Sequence, residues 1–301
     1  MFKNVLVGVD GSANGRDAIA LARQLTDPDG KLTLAHVHRG ELDPLKGAQR
    51  ELLGEDREAS RKVLEQERAA TGVDAQLQSV VGLSAAAGLH RQAERQGADL
   101  LVVGSCRHGA VGRAVLGDEA RAALNGAPCA VAIASHGHAN ERTKMATIGV
   151  AYDDSPESKA ALQAARTVAA ESGASVQVRQ VVFIPPIAYS GFVAVDLGNS
   201  IEMMVKEAER RVAEIPGVSG KAVYGPPNEE LEAFSEQVDL LVVGSRSYGP
   251  VKRIVLGSTS NYLARHAGCS LLVLARTVIQ QDAQSSADAG VEREPAVGVA
   301  G

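Results

Sequence analysis

Short apolar runs without internal alternation recur along the chain, and between them apolar residues return at helical spacing. The runs at 2–9, 31–38, 75–81, 99–104 and 130–134 read as strands, because a strand covered on both faces need not alternate. Ala18, Ile19, Leu21, Ala22 and Leu25 share one face of a helix that the turn Asp10-Gly11-Ser12 introduces and can cap. A charged helix over roughly 48–70 and another ending near Gln96 fill the next two gaps. Strand and helix in alternation predict a doubly wound, open parallel sheet of the Rossmann-like kind, with right-handed crossovers.

The pattern then starts again. Residues 147–152 repeat the first strand, Asp153-Asp154-Ser155-Pro156 repeats the helix entry with Pro in a favourable first-turn position, and 175–183 repeat the second strand. Asp10 and Asp153 lie 143 residues apart, Gly104 and Gly244 lie 140 apart, and from these glycines GSCRHGAVGRAVLGDEA aligns without a gap to GSRSYGPVKRIVLGSTS. This is an internal duplication. It predicts two similar α/β domains, 1–138 and 145–276, joined by a short polar junction. The stretch 277–301 has no periodicity and is expected to be disordered. Residues 189–199, which include Tyr189 and Phe192, are expected to form a plain loop, the alternative being a mobile flap beside a ligand crevice.

Candidate chemistry concentrates between Asp239 and Ser260. An apolar strand ends at Gly244, and thirteen residues later Gly257-Ser258-Thr259-Ser260 opens the helical segment NYLARHA. Small hydroxyl residues thus stand where amide groups lack partners, a position suited to anions. No Asp or Glu occurs between Leu240 and Arg276, whereas Arg246, Lys252, Arg253, Arg265 and Arg276 are basic. The local charge suits a polyphosphate.

The same stretch resembles the nucleotide loop of the universal stress protein family. ATP-binding members show Gly, two residues, Gly, nine residues, then Gly with Ser or Thr, matched here by Gly244, Ser247, Gly257 and Ser258, with Ser247 in the place of the second glycine. The resemblance covers nearly everything before the tail and implies an adenine nucleotide alpha hydrolase-like fold. It implies ATP as ligand, with Mg as an optional companion. In the second half the implied contacts are Asp153, Val181, Gly244, Ser245, Arg246, Ser247, Tyr248, Gly249, Pro250, Gly257, Ser258, Thr259 and Ser260. A weaker first-half site would use Gly8, Asp10, Val37, Gly104 and Gly117. There Arg107 replaces the second motif glycine, and Asp118 followed by Glu119 replaces the phosphate-binding hydroxyl residue. Two carboxylates at that helix start would repel a triphosphate, so one competent site per chain is expected, with the first half degraded or dependent on a bridging cation. Asp10 and Asp153 have a plainer alternative, that each merely caps its helix.

A net charge of −5, with basic residues spread along the chain, argues against nucleic-acid and membrane-surface partners. The opening Met1-Phe2-Lys3-Asn4 leads straight into a strand, which predicts a cytoplasmic protein without a signal peptide. Cys129 and Cys269 are expected to be buried thiols, and Cys106, beside Arg107 and His108, an exposed loop residue. His36 and His38 are expected to face opposite sides of their strand and so not to share a metal. The resemblance further implies that the fifth strands, 130–134 and 270–274, pair across a pseudo-twofold axis within one chain. Each is apolar at a sheet edge that needs cover, and further homodimerisation remains open. Three functions stay open: an ATP-binding regulatory protein that is not an enzyme, a weak ATPase or phosphotransferase with His266 as the nearest base, and a nucleotide-free interaction module.

Overall fold

The computed structural model describes residues 1–38, 50–105, 122–141, 145–184, 194–245, 254 and 257–274, without side chains for 50–54, 141 and 194–197. The first half runs β1 (Phe2–Gly8), α1 (Ala13–Leu25), β2 (Thr26–His38), α2 (Arg50–Thr71), β3 (Gln76–Val81), α3 (Ala85–Gln96), β4 (Leu100–Gly104) and β5 (Ala130–Ala134). After a short helix α4 (His138–Glu141), the second half runs β6 (Thr147–Tyr152), α5 (Pro156–Ser172), β7 (Ser175–Val182), α6 (Ala194–Ala213), β8 (Ser219–Tyr224), α7 (Pro227–Ser235), β9 (Leu240–Gly244), α8 (Ser258–His266) and β10 (Ser270–Leu274).

All ten strands belong to one sheet, in the order β3-β2-β1-β4-β5-β10-β9-β6-β7-β8. Within each half every pairing is parallel. The halves meet where β5 and β10 pair antiparallel, Val131 opposite Val273, Ala132 opposite Leu272 and Ile133 opposite Leu271. The order on one side of this junction mirrors the other. The two strands expected at edges thus cover one another at the centre of the sheet.

Two apolar layers flank the sheet. One gathers α1, α2 and α5 with the inward residues of both halves, including Leu21, Leu25, Leu64, Leu100, Ile148, Ala161 and Leu240. The other gathers α3, α7 and α8, including Leu89, Leu101, Ile133, Phe234, Leu241 and Leu263. Each layer crosses the β5–β10 junction, so each is shared between the halves. Cys129 and Cys269 are buried and form no disulfide among the described residues, and burial pushes the Cys129 thiol up to about 12. No helix among the described residues is long and apolar enough to cross a membrane.

Two elements depart from the sequence pattern. β2 begins at Thr26, five residues early, and Asp27-Pro28-Asp29-Gly30 is absorbed as an irregularity between the pairs Phe2–Thr26 and Asn4–Lys31. Residues 194–199 belong to α6 instead of a loop, while Tyr189, Phe192 and the stretch 277–301 lie outside the described residues.

Because Val273 is paired on both sides, to Val131 and to Val243, Val273→Pro should destabilise the whole chain by about 3 kcal/mol through a lost ladder bond and ring clash. Calorimetry should show one transition displaced downward by roughly 5–10 °C. A wild-type Tm would show that the junction carries no stability.

Candidate functional site

At the carboxyl end of β1, Asp10 Oδ1 accepts hydrogen bonds from Ser12 N at 3.0 Å and Ser12 Oγ at 2.6 Å. Asp153 does the same after β6, accepting from Ser155 N at 3.2 Å and from Ser155 Oγ. Neither aspartate is the residue that caps its helix. Ser155 is the N-cap of α5, its Oγ accepting from Ser158 N at 3.2 Å, while Ser12 holds the N-cap position of α1 without a side-chain bond. The plainer alternative, that Asp10 and Asp153 merely cap their helices, is not what the geometry shows: each carboxylate fixes the serine two residues on. The central turn residue is left-handed in both halves, Gly11 at φ 81° and Asp154 at φ 65°. An aspartate tolerates this conformation at a cost, and Asp154 is held there by the Tyr152 hydroxyl at 2.9 Å and Lys159 Nζ at 3.0 Å. Burial, with Asp154 as acceptor, pushes the Tyr152 hydroxyl up to about 12.

The strand-end glycines serve packing first. A Cβ on Gly244 would lie 2.7 Å from Glu157 Cβ and 2.9 Å from Glu157 O, in the first turn of α5. A Cβ on Gly104 would overlap Asn14 O in α1. Glycine therefore lets each first helix close on the end of β4 or β9, which sets the floor of a crevice at the carboxyl ends of the strands.

In the second half this crevice is a cavity of 140 Å³ that brings together Asp153, Val181, Gly244, Gly257, Ser258, Thr259 and Ser260. Gly257 is the N-cap of α8 and offers no side chain to its amides. The first intrahelical bond runs from Asn261 N to Gly257 O at 3.0 Å, so the Ser258, Thr259 and Ser260 amides precede the helical ladder. Ser245 follows Gly244 as a buried residue whose hydroxyl has no hydrogen-bond partner among the described residues, and Ser105 repeats this after Gly104. Arg246, Ser247, Tyr248, Gly249 and Pro250, and in the first half Cys106, Arg107, His108, Gly117, Asp118 and Glu119, lie outside the described residues.

The first-half crevice is larger, a cavity of 370 Å³ lined by Gly8, Asp10, Val37 and Gly104 as expected, and also by Asn14, His36 and His38. The difference follows from side chains at repeat-equivalent positions. Gly8 pairs with Ala35, whereas Ala151 pairs with Arg179. Ala151 and Arg179 both line the second-half cavity, and the Arg179 guanidinium rests 4.6 Å above the Phe234 ring. Sequence reasoning passed over this exchange of Ala35 for Arg179, although aligning the two second strands would have exposed it.

His36 and His38 share a side, which corrects the expectation that they oppose one another, because residues two apart on a strand point the same way. His36 Nδ1 stands 3.0 Å from Ser60 Oγ, which itself accepts from Ser79 Oγ at 2.8 Å. Ser60 therefore has its own proton to give to His36 Nδ1, which suits a neutral ring with its proton on Nε2. Burial and then His38 lower the His36 pKa, against a smaller opposite pull from Asp10. Among the described residues no cluster of three or more His, Cys, Asp or Glu is arranged to hold a metal.

Two predictions follow from the packing and the charge. Gly244→Ala should cost about 1–3 kcal/mol by overpacking against α5, read by urea denaturation without ligand; unchanged stability would reserve this glycine for ligand contact. Since the folded state disfavours the charged form of His36, its contribution to stability is present above the ordinary value of 6.5 and is lost as pH falls through the lowered folded value. His36→Asn should therefore flatten the fall in Tm between about pH 7 and pH 5, and an unaltered slope would assign that fall to other groups.

Comparison with known proteins gives the fold and its repeat a family. The universal stress protein family matches residues 1–135 and 145–275. A universal stress protein A homologue of Coxiella burnetii is 25% identical over 133 residues, covering 41% of this chain and 92% of that protein. A universal stress protein of Mycobacterium tuberculosis is 29% identical over 192 residues, 58% of this chain, and the match spans 61% of the mycobacterial protein's length. The crystal structure of a universal stress protein from Archaeoglobus fulgidus superposes with a TM-score of 0.63 at 19% identity, over 91% of this chain and 98% of that one. Matched in both halves, the chain belongs to the universal stress protein family.

Proposed function

We propose that the protein is an ATP-binding regulatory protein of the cytoplasm, whose second half holds the nucleotide phosphates at the start of α8. The observation that carries this reading is the uncapped helix start itself. Gly257 contributes no competing side chain, three amides and three hydroxyl side chains follow it, and all four residues line a cavity with Asp153. The absence of any acid between Leu240 and Arg276 adds to it. A cavity of 140 Å³ is small beside the roughly 300–1,000 Å³ of sites that enclose a whole small ligand. The described part of the site therefore fits the phosphates and the sugar, Asp153 being suited to the ribose hydroxyls. Mg would travel with the phosphates.

The enzyme alternative has less support. His266 ends α8, about 12 Å along the axis from Ser258, with its ring stacked on Tyr262 at 4.0 Å and Nδ1 placed 2.9 Å from Tyr262 O. It does not line the cavity, so it is not placed as a base for an attacking water. Nucleotide occupancy, not turnover, is then the signal.

Gly257→Val should abolish ATP binding while leaving the fold intact, since a branched side chain would cover the amides. Calorimetric titration of the folded variant checks it, and unchanged affinity would remove the α8 start as the site. Native mass spectrometry of the purified chain should show bound ATP; bound ADP would favour hydrolysis, and an empty protein the interaction-module reading.

A further inference from the structure

β3 is an outer strand of the sheet and pairs with β2 alone. Gly82 N donates to His38 O at 2.9 Å, and in a parallel ladder the residues that turn their amide and carbonyl to the neighbouring strand alternate with those that turn them away. Gln78 and Val80 therefore face β2, while the backbone groups of Leu77, Ser79 and Val81 face outward. Two of the outward carbonyls are already engaged: Ser79 O accepts from Gln78 Nε2 at 3.1 Å, and Val81 O accepts from Arg91 Nη2. The Leu77, Ser79 and Val81 amides have no acceptor among the described residues. The edge is richer in open donors than in open acceptors.

Cations stand on both faces of this edge. A groove of 450 Å³ between α2 and β3 is lined by Arg57, Arg61 and Arg68 with Leu77 and Ser79, and a groove of 340 Å³ between α3 and β3 by Arg91 and Arg95 with Val80. Arg57, Arg61 and Arg68 recur at intervals of four and seven residues, which keeps them on one side of α2. These three and Arg95 are exposed. Glu65 is the one carboxylate among the described lining residues of the two grooves, and Arg61 Nε holds it at 2.9 Å. Five arginines against one acid, on a chain whose net charge is −5, make this edge a local excess of positive charge.

We propose that the β3 edge is a docking site for an extended acidic segment of a partner protein. Backbone carbonyls of that segment accept from the open amides of β3. Successive side chains of an extended chain point to opposite faces, so a run of Asp or Glu delivers its carboxylates alternately to the α2 arginines and the α3 arginines. A helix would offer its acids to one face only. Nucleic acid fits the edge less well, because no aromatic side chain among the described residues lines either groove for base stacking. None of these residues lines either crevice, so the proposal does not rest on the nucleotide reading.

The test uses the full chain and a fluorescein-labelled oligoglutamate peptide, read by fluorescence anisotropy at low ionic strength, with an oligothymidylate of equal charge in parallel. Wild-type protein should bind the peptide more tightly than the oligonucleotide, and added salt should weaken it. Arg68→Glu on the α2 face and Arg95→Glu on the α3 face should each weaken the peptide about tenfold, since reversal turns an attraction into a repulsion. Neither should change ATP affinity, so a failure of the nucleotide reading is seen in the ATP titration alone. Ser79→Pro removes an outward amide and spares the bonds to β2, and it should weaken the peptide as well. If that variant does not fold, hydrogen exchange at the Leu77 and Ser79 amides of wild-type protein reads the same contact, and the peptide should slow it. No peptide binding to wild-type protein, equal or tighter binding of the oligonucleotide, an effect of reversal on one face only or on neither, or edge amides that the peptide leaves unprotected would each overturn the proposal.

Discussion

The antiparallel pairing of β5 with β10 is the constraint on which the rest depends. Each is a five-residue strand buried along its whole length, AVAIA against SLLVL. Alone, each would leave an apolar edge with open hydrogen-bonding groups. Paired, they remove both edges and join two cores into one. The direction of the pairing also fixes where ligands can go. Strands within a half are parallel and ligands approach at their carboxyl ends, so reversing direction at the junction places the two crevices at opposite edges of the sheet. The two crevices therefore do not open into the same space.

The same reversal explains how so short a junction can connect the halves. β5 ends on the side of the sheet where β6 begins, with β10 and β9 between them, so the step from Ala134 to Thr147 is a lateral one. Three strand spacings amount to about 14 Å. The crossing is fastened from both sides. Asp17, buried in α1, accepts from Gly137 N at 2.9 Å and Ala139 N at 2.8 Å, which places a carboxylate at the start of α4. His138, also buried, lies between Gln24 Oε1 at 3.2 Å and Ser270 Oγ at 3.2 Å, and Ser270 Oγ accepts from Ser135 N at 3.1 Å. One imidazole thus links α1 of the first half to the first residue of β10. His136 stands 3.2 Å from Asn14 Oδ1, and Asn14 lines the first-half cavity. The connection between the halves thus touches one wall residue of that crevice.

Much of the fold was legible because its inner strands are covered on both faces. LLVVG occurs twice, once at each fourth strand, and neither alternation nor a long helix competes with it. The duplication gave every element a second reading, and Gly104 with Gly244 fixed the register of the halves. Less visible was the start of β2, where Pro28 and Gly30 carry turn chemistry yet lie within an irregular strand pairing. Asp17, Gln24 and His138 could not be joined from sequence, since their meeting depends on the lateral path of the junction.

The candidate sites were legible in the backbone and less so in the side chains. Glycines and small hydroxyl residues announce a helix start, because their effect is local and depends on a few consecutive positions. The volume of a crevice has no such signature. It is set by single residues at equivalent places in two second strands, Ala35 in one and Arg179 in the other, and by Val9 against Tyr152 at the ends of the first. Each exchange is compatible with the same buried sheet, so hydrophobic pattern is blind to it. After duplication the backbone had to remain alike in both halves to keep the β5–β10 junction closed, whereas the crevice walls carried no such restraint. Differences between the two crevices could therefore accumulate in a few side chains without any change of fold.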